Sequence, residues 1–360
     1  MKAVQELTRA LDSVPAPAES GEIAAASLTP TVTLSEAEAL VAALAETQAL
    51  LLLSPPGVGK SEIVRRVAAT AGLPCRSLLG TQIAPEDVSG IPRIVGERAV
   101  FCPPRVLLPE DGAPFCLFLD ELPAAAPDVQ RALYSLLLER RLGEHALPAG
   151  SWVVAAGNRA EDGALVRAMS SALVNRVAIV HVRPDVGEWL AWARASGVRA
   201  DVAAFVACEP GALCRPVPEE PGPFSTPRAW AMLSSALDRL EARGALSPAA
   251  ARAIAHGLLS PEDAASFCAV ADDGPLAPPE RYLADPSALP PRGASRWSAL
   301  RGVRALVARG APDVRVARAD AFLRALGPEE RVFVVLDLAD VWRRLGARAA
   351  LAEALAEMTS

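Results

Sequence analysis

The stretch SPPGVGKS, residues 54–61, is the most informative part of the sequence. The apolar run ALLLL at 49–53 precedes it, and a segment with helical periodicity begins at Lys60. Glycines let backbone N–H groups turn inward, and the N-terminus of a following helix adds positive charge that favours an anion. A strand, a glycine-rich turn and a helix in this order predict a phosphate-binding loop, although Ser54 stands where the pattern has its first glycine.

Apolar runs and helical periodicity alternate on both sides of this loop. Helices are predicted after Thr33 and over 60–71 and 128–142, and strands over 49–53, 75–79, 115–119, 151–156 and 177–182. Strands that alternate with helices predict an α/β domain with a mostly parallel sheet, which ends near residue 185.

The pattern outside this domain differs. Residues 1–30 are predicted to be a flexible leader, which leaves 31–185 as the α/β core. Helical spacing then continues through 186–275, where Trp189 and Trp192 are expected to pack on one helix face. The Pro-rich segment 271–295 is interpreted as a surface linker, and residues 276–360 as a C-terminal helical extension.

Polar residues follow two of the predicted strands. Asp120 and Glu121 end the strand at 115–119, and Asn158 comes shortly after the strand at 151–156. Because ligands bind at the carboxyl ends of parallel strands, Asp120 suits the surroundings of Mg²⁺ and Glu121 suits a base that polarises water. Alternatively, the two acids form a solvated turn or a helix cap, and the asparagine a simple turn.

Composition strengthens two of these positions. Lysine occurs only at Lys2 and Lys60, and asparagine only at Asn158 and Asn175. Where such rare residues occur inside a motif, their chemistry is expected to be needed. The net charge of −6 and the pI of about 5.4 exclude a global basic footprint for nucleic acid, although they leave a local basic patch open.

The apolar segments and the cysteines bear on the cellular compartment of the protein. The N-terminus has no apolar signal core, and no apolar run approaches the roughly 18 residues that cross a bilayer, so we expect a cytoplasmic protein. The six cysteines show no zinc-ligand spacing. They are interpreted as reduced thiols, although a disulfide between Cys208 and Cys214 stays open.

Two arginines lie near predicted helix ends. Arg176 sits between a helix and the strand at 177–182, where it could cap that helix or reach the nucleotide of a neighbouring subunit. Arg228 follows Thr226 and Pro227, which predict a helix start. A cation is unfavourable in the first turn of a helix, and a nearby phosphate would offset that cost. Alternatively, Arg228 is an exposed surface residue.

The order of these motifs resembles the AAA+ ATPases, and most closely the MoxR group and its dynein-related relatives. The resemblance is strong over 33–240 and loose over 241–360. It implies a P-loop AAA+ core with a parallel sheet flanked by helices, then an α-helical lid at 186–275 and a helical extension. The resemblance gives Arg176 the position of the arginine finger, the residue that acts on a neighbouring subunit's nucleotide. Val177 departs from the phenylalanine that commonly follows this arginine in MoxR proteins, and Arg167 is therefore the second candidate for the finger.

The resemblance also implies ATP and Mg²⁺ as cofactors. It assigns nucleotide binding to Pro56, Gly57, Val58, Gly59, Lys60, Ser61 and Glu62, Mg²⁺ to Ser61 and Asp120, and catalysis to Glu121, Asn158, Arg176 and Arg228. Residues 81–110 and 141–150 resemble hairpins that face a central pore or a partner, though both could be solvent loops.

By the same resemblance the chain is expected to form a ring, a hexamer in the first instance, that remodels or activates a protein client. A protein with a von Willebrand factor A domain is the expected partner. Two alternatives remain at this point: a DNA- or RNA-associated motor or loader, which the acidic pI disfavours, and a nucleotide-dependent scaffold with little turnover.

Overall fold

A computed structural model describes residues 29–109, 111–142, 145–159, 169–309 and 316–336, and positions 338, 341, 342 and 345. Most of the predicted leader, and Arg167, lie outside these described residues. The chain divides into two compact units. The first comprises Thr31–Val206 with Pro210–Ala269, and the second comprises residues 29–30, Ala207–Glu209 and the described residues from Val270 onward.

The first unit begins with an α/β region. Its elements are β1 Thr31–Val32, α1 Leu34–Leu44, β2 Leu50–Leu53, α2 Lys60–Thr70, β3 Cys75–Leu79, α3 Pro85–Ser89, β4 Ile91–Val95, β5 Arg98–Cys102, β6 Cys116–Asp120, α4 Pro127–Ala132, α5 Tyr134–Glu139, β7 Arg141–Leu142, β8 His145–Ala146, β9 Trp152–Gly157, α6 Ser171–Val174 and β10 Ala178–Val182. A 3₁₀ turn, Leu122–Ala124, follows β6.

Six parallel strands form one sheet in the order β1-β10-β2-β9-β6-β3. All four leucines of β2 are buried, Leu50 and Leu52 in the core on one face and Leu51 and Leu53 in the core on the other. Burial on both faces explains the continuous apolar run. Burial of each leucine side chain stabilises the folded state by about 1.5–3 kcal/mol relative to leaving that side chain exposed. The predicted α/β fold is confirmed, with β1 as a strand that the sequence did not indicate.

The prediction of one helix over 128–142 is wrong in two respects, because the helix is interrupted at Leu133 and ends at Glu139. Two short helices, α4 and α5, replace it, and Arg140 then takes a left-handed conformation (φ 53°) that ends α5. The guanidinium of Arg140 donates to the carbonyl oxygens of Ser151 and Ala45 at 2.7 and 2.8 Å. These contacts offset the unfavourable backbone and direct the chain into β7.

Two antiparallel hairpins leave this region. Strands β4 and β5 pair from Ile91↔Cys102 to Val95↔Arg98, and β7 pairs with β8. Most residues of the first hairpin are exposed, including the apolar side chains of Ile91, Ile94, Val95 and Phe101. Both sequence segments that resemble hairpins, 81–110 and 141–150, therefore contain one.

The helical part of the first unit follows β10. Its elements are α7 Val186–Ala195, α8 Ala200–Cys208, α9 Pro227–Ala242, α10 Pro248–Leu258 and α11 Pro261–Asp273, with a 3₁₀ turn at Pro210–Ala212. The last residues of α8 and α11 belong to the second unit. Phe205, Trp230 and Phe267 pack together with ring centroids 5.3–5.9 Å apart. The indole N–H of Trp230 donates to Ala212 O at 2.7 Å, so the buried polar atom is satisfied.

The second unit contains α12 Pro279–Ala284, a 3₁₀ turn Pro286–Ala288, α13 Gly293–Ala308, α14 Val316–Arg324 and α15 Pro328–Val335. The interpretation of 271–295 as a surface linker is wrong. Tyr282, Leu283 and Leu289 are buried in this unit's core. The prolines begin short helical turns, as at Pro279 and Pro286, where a missing N–H has little consequence.

Candidate functional site

The glycine-rich loop joins β2 to α2. Gly57 and Gly59 have φ values of 74° and 116°, a region that residues with a Cβ rarely adopt. Gly59 is the N-cap of α2 and brings no side chain to cap the helix. The first-turn N–H groups of α2 can therefore turn toward an anion at this loop.

Lys60 lies inside this loop and is 8% exposed. Its ammonium donates to Ser54 Oγ at 2.8 Å and to Asn158 Oδ1 at 3.2 Å. Asn158 follows β9, the neighbour of β2 in the sheet, where Leu53 pairs with Gly157. The structure thus brings together two residues that the sequence singled out separately.

Ser61 and Asp120 form a second pair at the same edge of the sheet. Ser61 Oγ donates to Asp120 Oδ2 at 2.9 Å, and Asp120 Oδ1 accepts from the backbone N–H of Glu121 at 3.0 Å. A hydroxyl and a carboxylate are oxygen ligands of the kind that Mg²⁺ prefers. This donor set fits a magnesium ion, whose remaining positions would go to water and to phosphate oxygens.

Glu121 has a strained backbone, with φ 55° and ψ 32°. Its carboxylate accepts from Thr81 Oγ1 at 2.9 Å. Strained backbone of this kind often occurs at functional positions, where the surrounding structure holds it. Thr81 was not among the residues predicted from the sequence. The available signal was a small hydroxyl residue just after β3, whose Leu79 pairs with Asp120.

A cavity of about 570 Å³ adjoins the glycine-rich loop. It is lined by loop residues, by residues of α1, α2 and α7, and by the start of α9, and among these are Gly57, Ser61, Glu62, Arg228, Trp189 and Trp192. The two tryptophans lie 6.3 Å apart, Trp189 buried and Trp192 partly exposed. They contact each other as expected, and they also form a wall of this cavity.

The first turn of α9 contacts the glycine-rich loop directly. Thr226 caps α9 by accepting from Ala229 N at 3.1 Å, and the backbone N–H of Arg228 donates to Gly57 O at 3.1 Å. A Cβ on Gly57 would lie only 2.7 Å from Thr226 Oγ1. The loop therefore requires glycine at 57 for close packing as well as for its backbone conformation.

Two carboxylates of the cavity wall are held in ionised form. The backbone N–H of Glu188 lowers the pKa of Asp185, with a further contribution from Arg183. Burial acts to raise the pKa of Glu188, but hydrogen bonds from Ser35 and Thr33 outweigh it and leave this pKa below its usual range. Both side chains are thus negatively charged at neutral pH.

Arg176 is placed elsewhere. Its guanidinium donates to Ala172 O at 2.7 Å and lies 5.1 Å from the centre of the Tyr134 ring. Arg176 is not among the described residues that line the cavity. It therefore caps the short helix α6 within its own chain, whereas Arg228 lies at the cavity.

A family profile matches part of this chain. Residues 49–177 match the family profile of the AAA domain, dynein-related subfamily. A search of curated proteins found no match. The Thermotoga maritima RuvB Holliday junction branch migration motor is a similar solved structure, with 16% identity, a TM-score of 0.39 and coverage of 88% of this chain and 86% of that one.

NtrX from Brucella abortus is another similar structure, at 14% identity and a TM-score of 0.41, with coverage of 95% of this chain and 72% of that one. TM-scores this low leave function to be argued from the site. The profile match ends at Val177, where β10 is about to begin, and includes the glycine-rich loop, Asp120, Glu121 and Asn158. Residues 49–177 of this chain therefore match the AAA domain of the dynein-related subfamily, and this region has the P-loop AAA+ fold.

Proposed function

We propose that this chain binds ATP with Mg²⁺ and hydrolyses it. The observation that carries this proposal is the convergence of five side chains at the carboxyl edge of the sheet: Lys60, Ser61, Asp120, Glu121 and Asn158. A phosphate-binding loop, a magnesium-ligand pair, a carboxylate base and a polar amide are the parts that phosphoryl transfer to water requires.

Each side chain has a proposed task. Lys60 binds the β- and γ-phosphates, and Ser61 and Asp120 hold Mg²⁺, which neutralises charge on the phosphate oxygens. Glu121, held by Thr81, accepts a proton from the attacking water, and Asn158 orients that water. Arg228 stabilises charge on the γ-phosphate from the cavity wall. The cavity itself, with its tryptophan wall, takes the nucleoside.

We further propose that the site is completed by a second subunit. Arg176 does not reach the cavity of its own chain but could act on the nucleotide of a neighbour, as arginine fingers do. Arg167, outside the described residues, is the second candidate for this role. A finger supplied in trans implies a closed ring, and a hexamer is the form proposed.

The proposed role of the ring is to remodel or activate a protein client, in the manner of MoxR proteins and together with a von Willebrand factor A domain protein in the cytoplasm. Its support is the exposed apolar hairpin β4–β5, a surface suited to protein contact. In this proposal residues 31–185 form the ATPase core, 186–275 the lid and 276–360 an extension. Among the described residues no helix is long and apolar enough to cross a membrane.

Nucleotide binding and phosphate release by the full chain test the core of this proposal. Wild-type protein is expected to bind Mg·ATP and release phosphate. Lys60→Ala is expected to lose binding, and Glu121→Gln to bind ATP but release phosphate at least about 100-fold more slowly. Hydrolysis by Glu121→Gln at the wild-type rate would contradict the assignment of the base, and unchanged ATP affinity in Lys60→Ala would contradict the phosphate loop.

A further inference from the structure

Ser54 departs from the usual phosphate-binding pattern, which begins with glycine. The non-glycine residues with positive φ in the described part of the chain are Glu121 and Arg140, so the backbone at Ser54 does not need the freedom of glycine. Ser54 is fully buried. A buried polar side chain in a place that glycine or alanine could fill requires a reason, because its burial without partners is unfavourable.

The hydrogen bonds of Ser54 supply that reason. Its hydroxyl donates to Pro55 O at 2.8 Å and accepts from the ammonium of Lys60, also at 2.8 Å. A serine hydroxyl has one proton and two lone pairs. Because the proton is used on Pro55, the lone pairs face Lys60, and the side chain is fixed as an acceptor for that ammonium.

Ser54 Oγ is nearer to Lys60 Nζ than three other oxygens around it. The ammonium lies 3.3 Å from Ser54 O, 3.3 Å from Pro55 O and 3.2 Å from Asn158 Oδ1. An ammonium has three protons. One directed to Ser54 Oγ leaves two that can move from the longer contacts to phosphate oxygens.

We propose that Ser54 is a positioning residue for Lys60, and that its hydroxyl holds the ammonium at the phosphate subsite before and during nucleotide binding. This inference rests on the proposed nucleotide binding but assigns a role to a side chain outside the family pattern. Charge-assisted hydrogen bonds between buried groups are among the stronger ones, so loss of this one should be measurable in affinity.

The first test compares three substitutions by titration calorimetry with Mg·ADP. Ser54→Ala and Ser54→Gly are both expected to weaken binding about tenfold, since both lack the hydroxyl. Ser54→Thr, which retains a hydroxyl, is expected to bind within about threefold of wild type. If Ser54→Gly, which restores the usual residue, binds as tightly as wild type, the proposal is wrong.

A second test separates positioning from a merely structural role and needs no nucleotide. Thermal midpoints are measured for wild type, Ser54→Ala, Lys60→Met and the double variant. Ser54→Ala is expected to lower the midpoint in wild type and to have less than half that effect in the Lys60→Met background, because the two side chains act together. An equal effect in both backgrounds would mean that Ser54 acts through Pro55 alone, and would overturn the proposal.

The two tests also separate this inference from the proposed function. If wild-type protein binds no Mg·ADP or Mg·ATP, the proposed function fails. In that case, a smaller effect of Ser54→Ala on the thermal midpoint in the Lys60→Met background would still establish that Ser54 holds Lys60. An equal effect in both backgrounds would show that Ser54 does not hold Lys60 either.

Discussion

The ammonium of Lys60 lies 3.2 Å from the amide oxygen of Asn158, although 98 positions separate the two residues in the chain. The sheet explains this proximity, because β2 and β9 are neighbours and end at the same edge. The phosphate loop and the candidate water-orienting residue are therefore parts of one hydrogen-bonded group. A change at Asn158 should affect the reaction more than the binding.

Asn158→Ala is expected to retain ATP affinity within a few-fold, because Lys60 keeps its contacts with Ser54. Phosphate release should slow by about 100-fold, the size of effect seen when a reacting group is misplaced by about 1 Å. Stopped-flow phosphate detection on ATP-saturated protein measures this. Phosphate release at the wild-type rate, together with weakened ATP affinity, would mean that Asn158 only positions Lys60 and does not act in the reaction.

The strained backbone at Glu121 gives a second prediction. Glu121→Gly should be more stable than Glu121→Ala by about 1 kcal/mol, because alanine at φ 55° keeps the left-handed strain that glycine does not have. Urea unfolding of the two variants measures the difference, and neither variant should hydrolyse ATP. Equal stability would show that the left-handed conformation at 121 is not retained in solution.

Gly57 and Gly72 form a matched pair for a third prediction. Their φ values are 74° and 72°, but a Cβ on Gly57 would meet Thr226 at 2.7 Å, whereas one on Gly72 meets nothing within 4 Å. Gly72→Ala should lose about 1 kcal/mol of stability and keep nucleotide binding.

Gly57→Ala should lose more stability than Gly72→Ala and should also lose nucleotide binding, because the loop and the start of α9 must separate. Urea unfolding and calorimetric titration of both variants measure these effects. Equal losses of stability with binding retained in both would show that the contact between Gly57 and Thr226 does not restrain the loop.

Arg176 provides a fourth prediction. Arg176→Ala should bind ATP normally but reduce hydrolysis by about 1,000-fold, and added to wild-type protein it should inhibit more than in proportion to its share. Arg131→Ala is a matched control, since Arg131, like Arg176, donates to a backbone carbonyl four residues before it, Pro127 O. Strictly proportional loss in the mixtures would indicate that Arg176 acts only within its own chain.

The ionised carboxylates give a fifth prediction, for stability against pH. The pKa of Glu188 is lowered in the folded protein, so its stabilisation is complete above the unfolded pKa, about 4.3, and is lost as the pH falls through the folded pKa. Ser35→Ala removes a hydrogen bond that lowers this pKa. It should therefore destabilise the protein at pH 7 and have a smaller effect at about pH 3.

A control variant for this measurement is Ser89→Ala, because Ser89 donates to the backbone oxygen of Pro85 and to no carboxylate in the described structure. Its effect on the free energy of unfolding should not depend on pH. If Ser35→Ala shows the same pH-independent difference, the link between Ser35 and the Glu188 carboxylate is wrong.

The sequence was sufficient to predict five of the six strands of the sheet, and the positions of Lys60, Asp120 and Asn158 at its carboxyl edge. The reason is local: β2 and β6 are buried runs, and the glycines, Lys60 and Asp120 follow them directly. The strand at 75–79 was also predicted with the bounds that the structure has, Cys75–Leu79. These features depend on burial and turn chemistry, which short segments encode.

Other features depend on contacts between distant segments. The left-handed Arg140 is held by Ala45 and Ser151, which no local pattern reveals. Thr81 reaches Glu121 only because β3 pairs with β6, a register that the sequence does not specify. The Pro-rich segment at 271–295 resembled a linker because its prolines dominated the composition, while the burial of Tyr282 and Leu283 decided its structure.

The specific ATPase activity per subunit, measured against protein concentration with mass photometry at each point, tests whether the chain is an ATP-hydrolysing ring whose sites are completed by neighbouring subunits. Specific activity should rise as the assembly forms. A monomer that hydrolyses ATP at a constant specific rate would contradict the shared site, and no hydrolysis at any concentration would contradict the proposed activity itself.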